Sequence, residues 1–246
     1  MTESASSGPE APTPAGTKSA EVPVAFQDPG YRAAVVDLLG AIAYGEISAF
    51  ERLAEDAKLA PTLADKLALG KMATIQFNHV EPLIARIAEL GSEPMEAMAP
   101  FVKPFDVFHA KTAPSNWLEG LVKAFVGDGL AADFYREIAA FLDADTRNLI
   151  TTSLADSGHA HFVVERVGQA IAADSRVAGP IALWGRRLMG EALSQAQRVA
   201  AERDSLAALL AGGVDRPGLD LVALGRMFNR LTENHVARMA ELGLSS

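Results

Sequence analysis

The alternation of apolar and polar positions along the chain predicts helices throughout. Leu, Ala, Glu and Arg dominate the body of the sequence, and β-branched runs with period-two alternation are missing. Apolar residues recur at intervals of three and four between Pro, Gly, Asp and Asn residues, which are typical of helix ends. We therefore predict an all-α fold with six helices, at residues 31–59, 63–91, 116–142, 143–173, 180–210 and 219–242.

Three segments depart from this regular pattern. Residues 1 to about 24 are rich in Ser, Pro, Ala, Gly and Thr, so we expect a disordered tail over residues 1–25 and one helical domain over residues 26–246. Residues 92–115 interleave prolines with phenylalanines, which predicts a crossover packed on the bundle with a short helix of its own. Pro82 should kink or bulge the second helix.

Polar side chains interrupt the apolar seam of each of the first four predicted helices. Because an unpaired buried carboxylate is costly, such residues need partners or a metal ion. The separation of the polar residues on the first two helices nearly equals that on the third and fourth, so antiparallel packing can bring them to one level. These residues are Glu46 on the first helix, Gln76 and His79 on the second, Asp128 on the third, and Asp156 and His159 on the fourth.

This layout resembles the di-iron carboxylate proteins of the ferritin-like superfamily. Those proteins supply a Glu from one helix and a Glu-x-x-His from the next, and repeat the pattern after a long crossover. Here Glu46 precedes Gln76-Phe77-Asn78-His79, and Asp128 precedes Asp156-Ser157-Gly158-His159. The sequence is similar to bacterial proteins grouped with tRNA 2-methylthio-isopentenyladenosine hydroxylase over about residues 26–243. The similarity is clearest around Tyr44-Gly45-Glu46 and Phe77-Asn78-His79-Val80-Glu81-Pro82.

The resemblance implies both a fold and an activity. The fold is a ferritin-like four-helix bundle with a long crossover and two additional C-terminal helices. The activity is O₂-dependent hydroxylation of a modified tRNA base or a small molecule, with an electron-donor protein as partner. Tyr44 and Tyr135 are candidate hydrogen-bond partners of the ligands. The implied ligands of two iron ions are Glu46, Gln76, His79, Asp128, Asp156 and His159.

The ligand set departs from the family pattern at three positions. Gln76 replaces a Glu, and Asp128 and Asp156 are each one methylene shorter than Glu. Three carboxylates leave two Fe²⁺ ions with excess positive charge, and an amide oxygen is a weaker ligand. The alternative is a metal-free ferritin-like structural or interaction module without catalytic activity or cofactor. Iron storage ranks third, because two long C-terminal helices would obstruct a cage, and a homodimer is expected instead.

Composition limits the binding partners and the cellular location that we expect for the protein. A net charge of -9 and a pI near 5.1 argue against broad attraction to nucleic acid, which leaves tRNA as an uncertain substrate. The chain has no cysteine, lacks the pattern of a secretory signal and contains no uninterrupted apolar run of membrane-spanning length. We expect a cytoplasmic protein without membrane association.

Three further histidines are weaker candidates for a metal or polar site. His109 and His161 are interpreted as loop or surface residues. The segment Asn234-His235-Val236 echoes Asn78-His79-Val80, so Glu233 or His235 could complete a polar site that Gln76 leaves short.

Overall fold

The computed structural model describes residues 24–154, 159–211 and 220–245. In these ranges it contains α-helices and short 3-10 turns but no strand, which confirms the all-α prediction. Most of the predicted tail lies outside the described residues. The helices are α1 (Pro29–Asp56), α2 (Leu63–Asn78), α3 (Val80–Glu89), α4 (Pro94–Lys111), α5 (Trp117–Ala139), α6 (Ala144–Ser153), α7 (His159–Ala173), α8 (Ala178–Glu202), α9 (Asp204–Ala211) and α10 (Leu221–Glu241).

Helix α1 is the central rod of the bundle. The Asp28 side chain caps it by accepting a hydrogen bond from the Gly30 N–H at 2.8 Å. Pro29 occupies the first turn, where its missing N–H has no intrahelical partner to lose. Its predicted seam is buried, as the structure shows for Val35, Leu39, Ile42, Glu46 and Leu53.

The second predicted helix is divided at His79 into α2 and α3. Pro82 accounts for the division, because its ring has no N–H for the carbonyl of Asn78 and would clash with it. The His79 N–H bonds instead to the carbonyl of Gln76 at 3.1 Å. Gly91, with φ of 77°, follows α3 in the left-handed conformation that favours glycine.

The expectation of a short helix in the crossover is wrong, because α4 extends over 18 residues. It contains Pro100 and Pro104, each of which removes a backbone hydrogen bond. Tertiary packing maintains the helix: Phe101 is fully buried, and Gly40 of α1 lets the backbone of Ala97 come so close that any Cβ at Gly40 would overlap it. Burial here outweighs a poor intrinsic helix propensity.

Helix α5 and the pair α6 and α7 form the other side of the bundle. Asn116 caps α5 as predicted. The Tyr31 hydroxyl donates to the Asp143 carboxylate at 2.9 Å and accepts from the Asp143 N–H at 2.8 Å, which joins the start of α1 to the start of α6. At the opposite end of α1, Asp56 lies against Gly120 of α5. Helices α1 and α5 are therefore antiparallel.

The fifth predicted helix is divided at Arg203 into α8 and α9. The Arg203 guanidinium and the Ser205 hydroxyl both donate to the buried carboxylate of Asp37, and this fixes α9 against α1. Helices α8 and α10 pack on α5, where the Trp184 indole N–H donates to the carbonyl of Glu119 at 3.0 Å. The predicted pair of C-terminal helices thus covers the outside of the bundle.

Two apolar clusters fill the bundle, one toward each end of α1. The first packs α1, α2 and α5 through residues that include Leu53, Leu69, Met72, Leu121 and Val126. The second packs α1, α3, α5 and α6 through residues that include Val35, Leu39, Leu83, Ile138 and Ile150. Between these clusters lies the level at which the polar seam residues were predicted to meet.

One described segment, Pro29–Leu59, is long and apolar enough to cross a membrane by length and composition alone, with a mean hydropathy of 1.5 in its most apolar window. In this fold, 61% of that window is buried inside the protein. The core helix of a bundle meets the same criterion, so the central position of α1 accounts for its composition.

The close approach of α1 and α4 predicts opposite effects for two glycine substitutions. Gly40→Ala should lower the free energy of unfolding by about 1–3 kcal/mol, because the new methyl overlaps the Ala97 carbonyl and forces the helices apart. Gly70→Ala in α2 should raise it by about 0.5–1 kcal/mol, since nothing lies within 4 Å of its Cβ position. Urea denaturation of both variants measures the difference, and equal effects would contradict the packing of α4.

Candidate functional site

Four of the six predicted site residues meet midway along the bundle. Glu46 comes from α1, Gln76 from α2, His79 from the break between α2 and α3, and Asp128 from α5. Two hydrogen-bonded pairs link them, Glu46 with His79 and Gln76 with Asp128. This polar layer separates the two apolar clusters.

The first pair joins a buried carboxylate to an imidazole at the point where the second rod breaks. Glu46 Oε2 lies 3.3 Å from His79 Nδ1. Burial raises the pKa of Glu46, and His79 opposes that shift by its hydrogen bond and its charge. The same hydrogen bond raises the pKa of His79, against the effect of its own burial. The pair is therefore an ionic or proton-sharing contact in a region of low dielectric constant.

The second pair joins an amide of α2 to a carboxylate of α5. Gln76 Nε2 donates to Asp128 Oδ2 at 3.0 Å. Burial, with the nearby charge of Glu46, raises the pKa of Asp128 to about 7, although the Gln76 hydrogen bond acts in the opposite direction. Among the described side chains, two carboxylates and one imidazole thus share a poorly solvated layer, which favours the binding of a proton or a cation there.

Of the two tyrosines named from the sequence, only Tyr135 lies beside this layer. Its hydroxyl is near Gly45, and burial together with the charge of Glu46 raises its pKa. Tyr44 instead lies against Phe105, with ring centroids 5.7 Å apart, and interacts with Asp106. Tyr135 is therefore the neutral hydroxyl available near Glu46.

The polar layer faces a large, partly open cavity of about 520 Å³. The cavity walls are mostly apolar and come from α1, α4, α5, α8 and α9, which explains why Gln76, His79 and Asp128 keep some accessible surface although they are deep in the bundle. Gly127 borders the cavity with nothing within 4 Å of its Cβ position, so it leaves room beside Asp128. Gly129 admits the side chain of Arg238 from α10.

Two predicted ligands are not placed. Asp156 lies outside the described residues, and of His159 only the backbone, at the start of α7, is described. Leu154 and Ala160, on either side of this segment, both line the cavity. The assignment of Asp156 and His159 as ligands stays a prediction.

The interpretation of His109 as a loop or surface residue is wrong. His109 lies in α4 and lines the cavity, where burial and the nearby charges of Lys123 and Arg52 lower its pKa to about 3. Sequence reasoning also missed Lys123, which is 5% exposed. The sequence carries one signal, since Gly127, four residues after Lys123 on the same helix face, leaves open space at its Cβ position. His161 is exposed, as predicted.

The echo in the last helix does not complete the polar layer. Glu233 is exposed, which contradicts a role in an interior site. His235 is buried, but it does not line the cavity, and the charged residue that acts on it is Arg238. The likeness of Asn234-His235-Val236 to Asn78-His79-Val80 therefore has no counterpart in the geometry of the site.

The polar layer offers oxygen and nitrogen atoms of the kinds that bind a divalent ion. Within the described ranges, no three His, Cys, Asp or Glu side chains are grouped as a metal cluster. Atoms bound to one ion at roughly 2.0–2.2 Å lie about 3 Å apart. The Glu46–His79 separation of 3.3 Å and the Gln76–Asp128 separation of 3.0 Å both fit this requirement pairwise. Rotation of the Gln76 amide would present its oxygen in place of its nitrogen.

Comparison with known proteins agrees with this architecture. A family model described as "Ferritin-like domain, actinomycetes" matches residues 29–213, which extend from the start of α1 to just beyond α9. No curated protein matches the chain. With the bundle, the crossover and the central polar layer all inside the matched range, the chain belongs to the ferritin-like domain family of actinomycetes.

Proposed function

We propose that the protein is a non-haem di-iron hydroxylase that acts on a small apolar substrate. The observation that carries this proposal is the position of Glu46, His79, Gln76 and Asp128 at the wall of a mostly apolar cavity. A layer kept only for stability gains nothing from an adjoining cavity, since empty space costs packing energy. Titratable groups that converge on such a cavity are typical of a reactive site.

The charges of the layer support cation binding. Glu46 and Asp128 both have raised pKa values because neither is well solvated. A divalent ion would offset this cost, and His79 would serve as a neutral ligand once the ion replaced its proton. Asp156 and His159, from the predicted fourth helix, would add a carboxylate and an imidazole. When bound, iron would supply activation of O₂, in which one oxygen atom enters a C–H bond and the other leaves as water after taking up two electrons from the donor and two protons.

The remaining residues of the cavity determine which substrates can bind next to the polar layer. The mostly apolar walls accept an apolar molecule, and Gly127 leaves space next to Asp128. Tyr135 remains protonated near Glu46 and can hold a proton there. A net charge of -9 disfavours a polyanionic substrate such as tRNA, so a small molecule is preferred. The electrons would come from a partner protein.

Metal binding is the first test of this proposal. Metal-free protein titrated anaerobically with Fe²⁺ should bind two ions per chain and melt at a higher temperature, because the ions bind only the folded site. His79→Leu should weaken binding roughly tenfold or more, since it removes an imidazole ligand.

His161→Leu is the matched control, because His161 is an exposed histidine of the same chain. It should bind iron as the wild type does. Absence of bound Fe, Mn or Zn after reconstitution of the wild type would exclude the hydroxylase.

A metal-free ferritin-like module is the second candidate function. The observation in its favour is the Gln76–Asp128 hydrogen bond, which satisfies an amide and a carboxylate without any ion. The Glu46–His79 contact does the same for the other two residues. In this case the layer would specify how the four rods align, and the ferritin-like domain would act through its surface.

Gln76→Glu distinguishes the two candidates. Without metal it should destabilise the protein by about 1–3 kcal/mol, because a further carboxylate replaces a hydrogen-bond donor to Asp128. If the site holds iron, Fe²⁺ should reverse this loss and bind more tightly than to the wild type. In a metal-free module the loss persists with Fe²⁺ present, and His79→Leu lowers the melting temperature equally with and without Fe²⁺, because it leaves the buried Glu46 carboxylate without its partner. Urea denaturation with and without Fe²⁺ measures both variants.

A further inference from the structure

A second group of polar side chains lines the same cavity away from the polar layer. We call Arg52, His109, Lys123 and Gln195 the donor cluster. Each has a buried nitrogen atom without a hydrogen-bond partner among the described residues: Arg52 Nε, His109 Nδ1, Lys123 Nζ and Gln195 Nε2. Three of the four can only donate. Buried donors left unpaired are costly, so this arrangement predicts a ligand rich in acceptors.

Lys123 is the centre of the cluster. It is 5% exposed, and its ammonium lies 5.8 Å from the centre of the Phe108 ring. Burial lowers its pKa to about 8, which leaves it mainly protonated at neutral pH. A buried ammonium that donates to nothing in the described protein is an unusual feature, because such a charge normally has a hydrogen-bonded partner.

The other donors approach from three further helices, α1, α4 and α8. Gln195 of α8 is 8% exposed. The ion pair Lys111–Glu191, at 3.0 Å, joins α4 to α8 two residues from His109 and four residues from Gln195, so both residues lie within about one turn of this contact. Arg52 uses one terminal nitrogen for Glu55 at 2.9 Å, which leaves its Nε for the cavity.

Two carboxylates, Asp56 and Glu55, lie near the donors without forming a hydrogen bond to Lys123. Asp56 is 7% exposed and attracts Lys123 electrostatically, yet the Lys123 Nζ has no described hydrogen-bond partner. The Asp56 carboxylate instead lies against Gly120, about 3.2 Å from the position of a Cβ there. A dianionic ligand would be repelled by Asp56, so a monoanion fits better.

The cluster and the polar layer are separated along the bundle. Arg52 is six residues beyond Glu46 on α1, and Lys123 is five before Asp128 on the antiparallel α5. At the helical rise these offsets correspond to roughly 7–9 Å. Mostly apolar walls connect the two regions. The cavity therefore has a donor-rich end, an apolar middle and the ligand-type residues of the polar layer.

We propose that the donor cluster binds the carboxylate of an apolar monocarboxylic acid whose hydrocarbon chain extends through the cavity toward the polar layer. Lys123 and Gln195 donate to the carboxylate oxygens, and the apolar walls enclose the chain. Binding of this acid does not require metal; only its role as the substrate to be hydroxylated rests on the proposed function. The donor cluster then determines which carbon of the chain lies beside Glu46 and Asp128.

Decanoate is the test ligand, and its binding to metal-free protein is measured by titration calorimetry below the micelle concentration. Decanoate should bind saturably at one site and at least roughly tenfold more tightly than decanol or decylamine, because only the carboxylate accepts from all the donors without bringing a positive charge to Lys123. This comparison uses the wild-type protein and needs no variant. Failure of decanoate to saturate, or equal or tighter binding of decanol or decylamine, would overturn the proposal.

Lys123→Met tests the anchor, because it keeps the apolar stem and removes the ammonium. Decanoate affinity should fall roughly tenfold or more while decanol affinity stays unchanged. Lys71→Met, at an exposed lysine of α2, is the matched control and should bind decanoate as the wild type does. Gln195→Leu should lower decanoate affinity in the same direction. Unchanged affinity in both Lys123→Met and Gln195→Leu would show that the donors do not hold the ligand.

These results are separable from those for metal. Loss of iron binding with decanoate binding intact would leave a carboxylic-acid binding protein without hydroxylase chemistry. Iron binding without decanoate binding would retain the metal site and reject this ligand.

Discussion

The need to place charged side chains inside an apolar four-helix bundle is the constraint on which the rest of this structure depends. Glu46 and Asp128 lie between two hydrophobic clusters, where an isolated carboxylate would be strongly destabilising. His79 and Gln76 make this level tolerable by pairing with them. The break at His79, caused by Pro82 three residues later, lets the second rod present both residues to the same level.

The packing of α4 across the bundle leaves a cavity beside the polar layer. Because α4 crosses the bundle and packs against α1 at Gly40, its aromatic side chains and His109 form one wall of a space that the four rods leave open. The polar layer and the donor cluster occupy different parts of that space. An apolar region between two polar ones suits an amphipathic molecule better than a purely apolar or a highly charged one. The ferritin-like fold alone would not imply this selectivity, because one fold hosts many functions.

Much of the fold could be predicted from local pattern. The bounds of α1, α5 and α10 follow from caps and apolar periodicity, and the seam positions of Glu46, Gln76, His79 and Asp128 follow from the same reading. Helix α4 could not be predicted in this way, since Pro100 and Pro104 signal interruption and only the burial of Phe101 and the approach at Gly40 maintain it. His109 was misplaced for the same reason: its environment depends on where the crossover packs.

The sequence by itself determined most of the helices, and which polar residues share a face with the core, because both depend on spacing along one chain. It also indicated the ferritin-like family through the pattern of Glu46, Gln76, His79 and Asp128. Only the tertiary structure decided that Gln76 bonds to Asp128, that Lys123 is buried without a hydrogen-bond partner in the described ranges, and that His109 and Gln195 line one cavity. These relations join helices far apart in the chain, so they depend on how closely and in what register the helices pack.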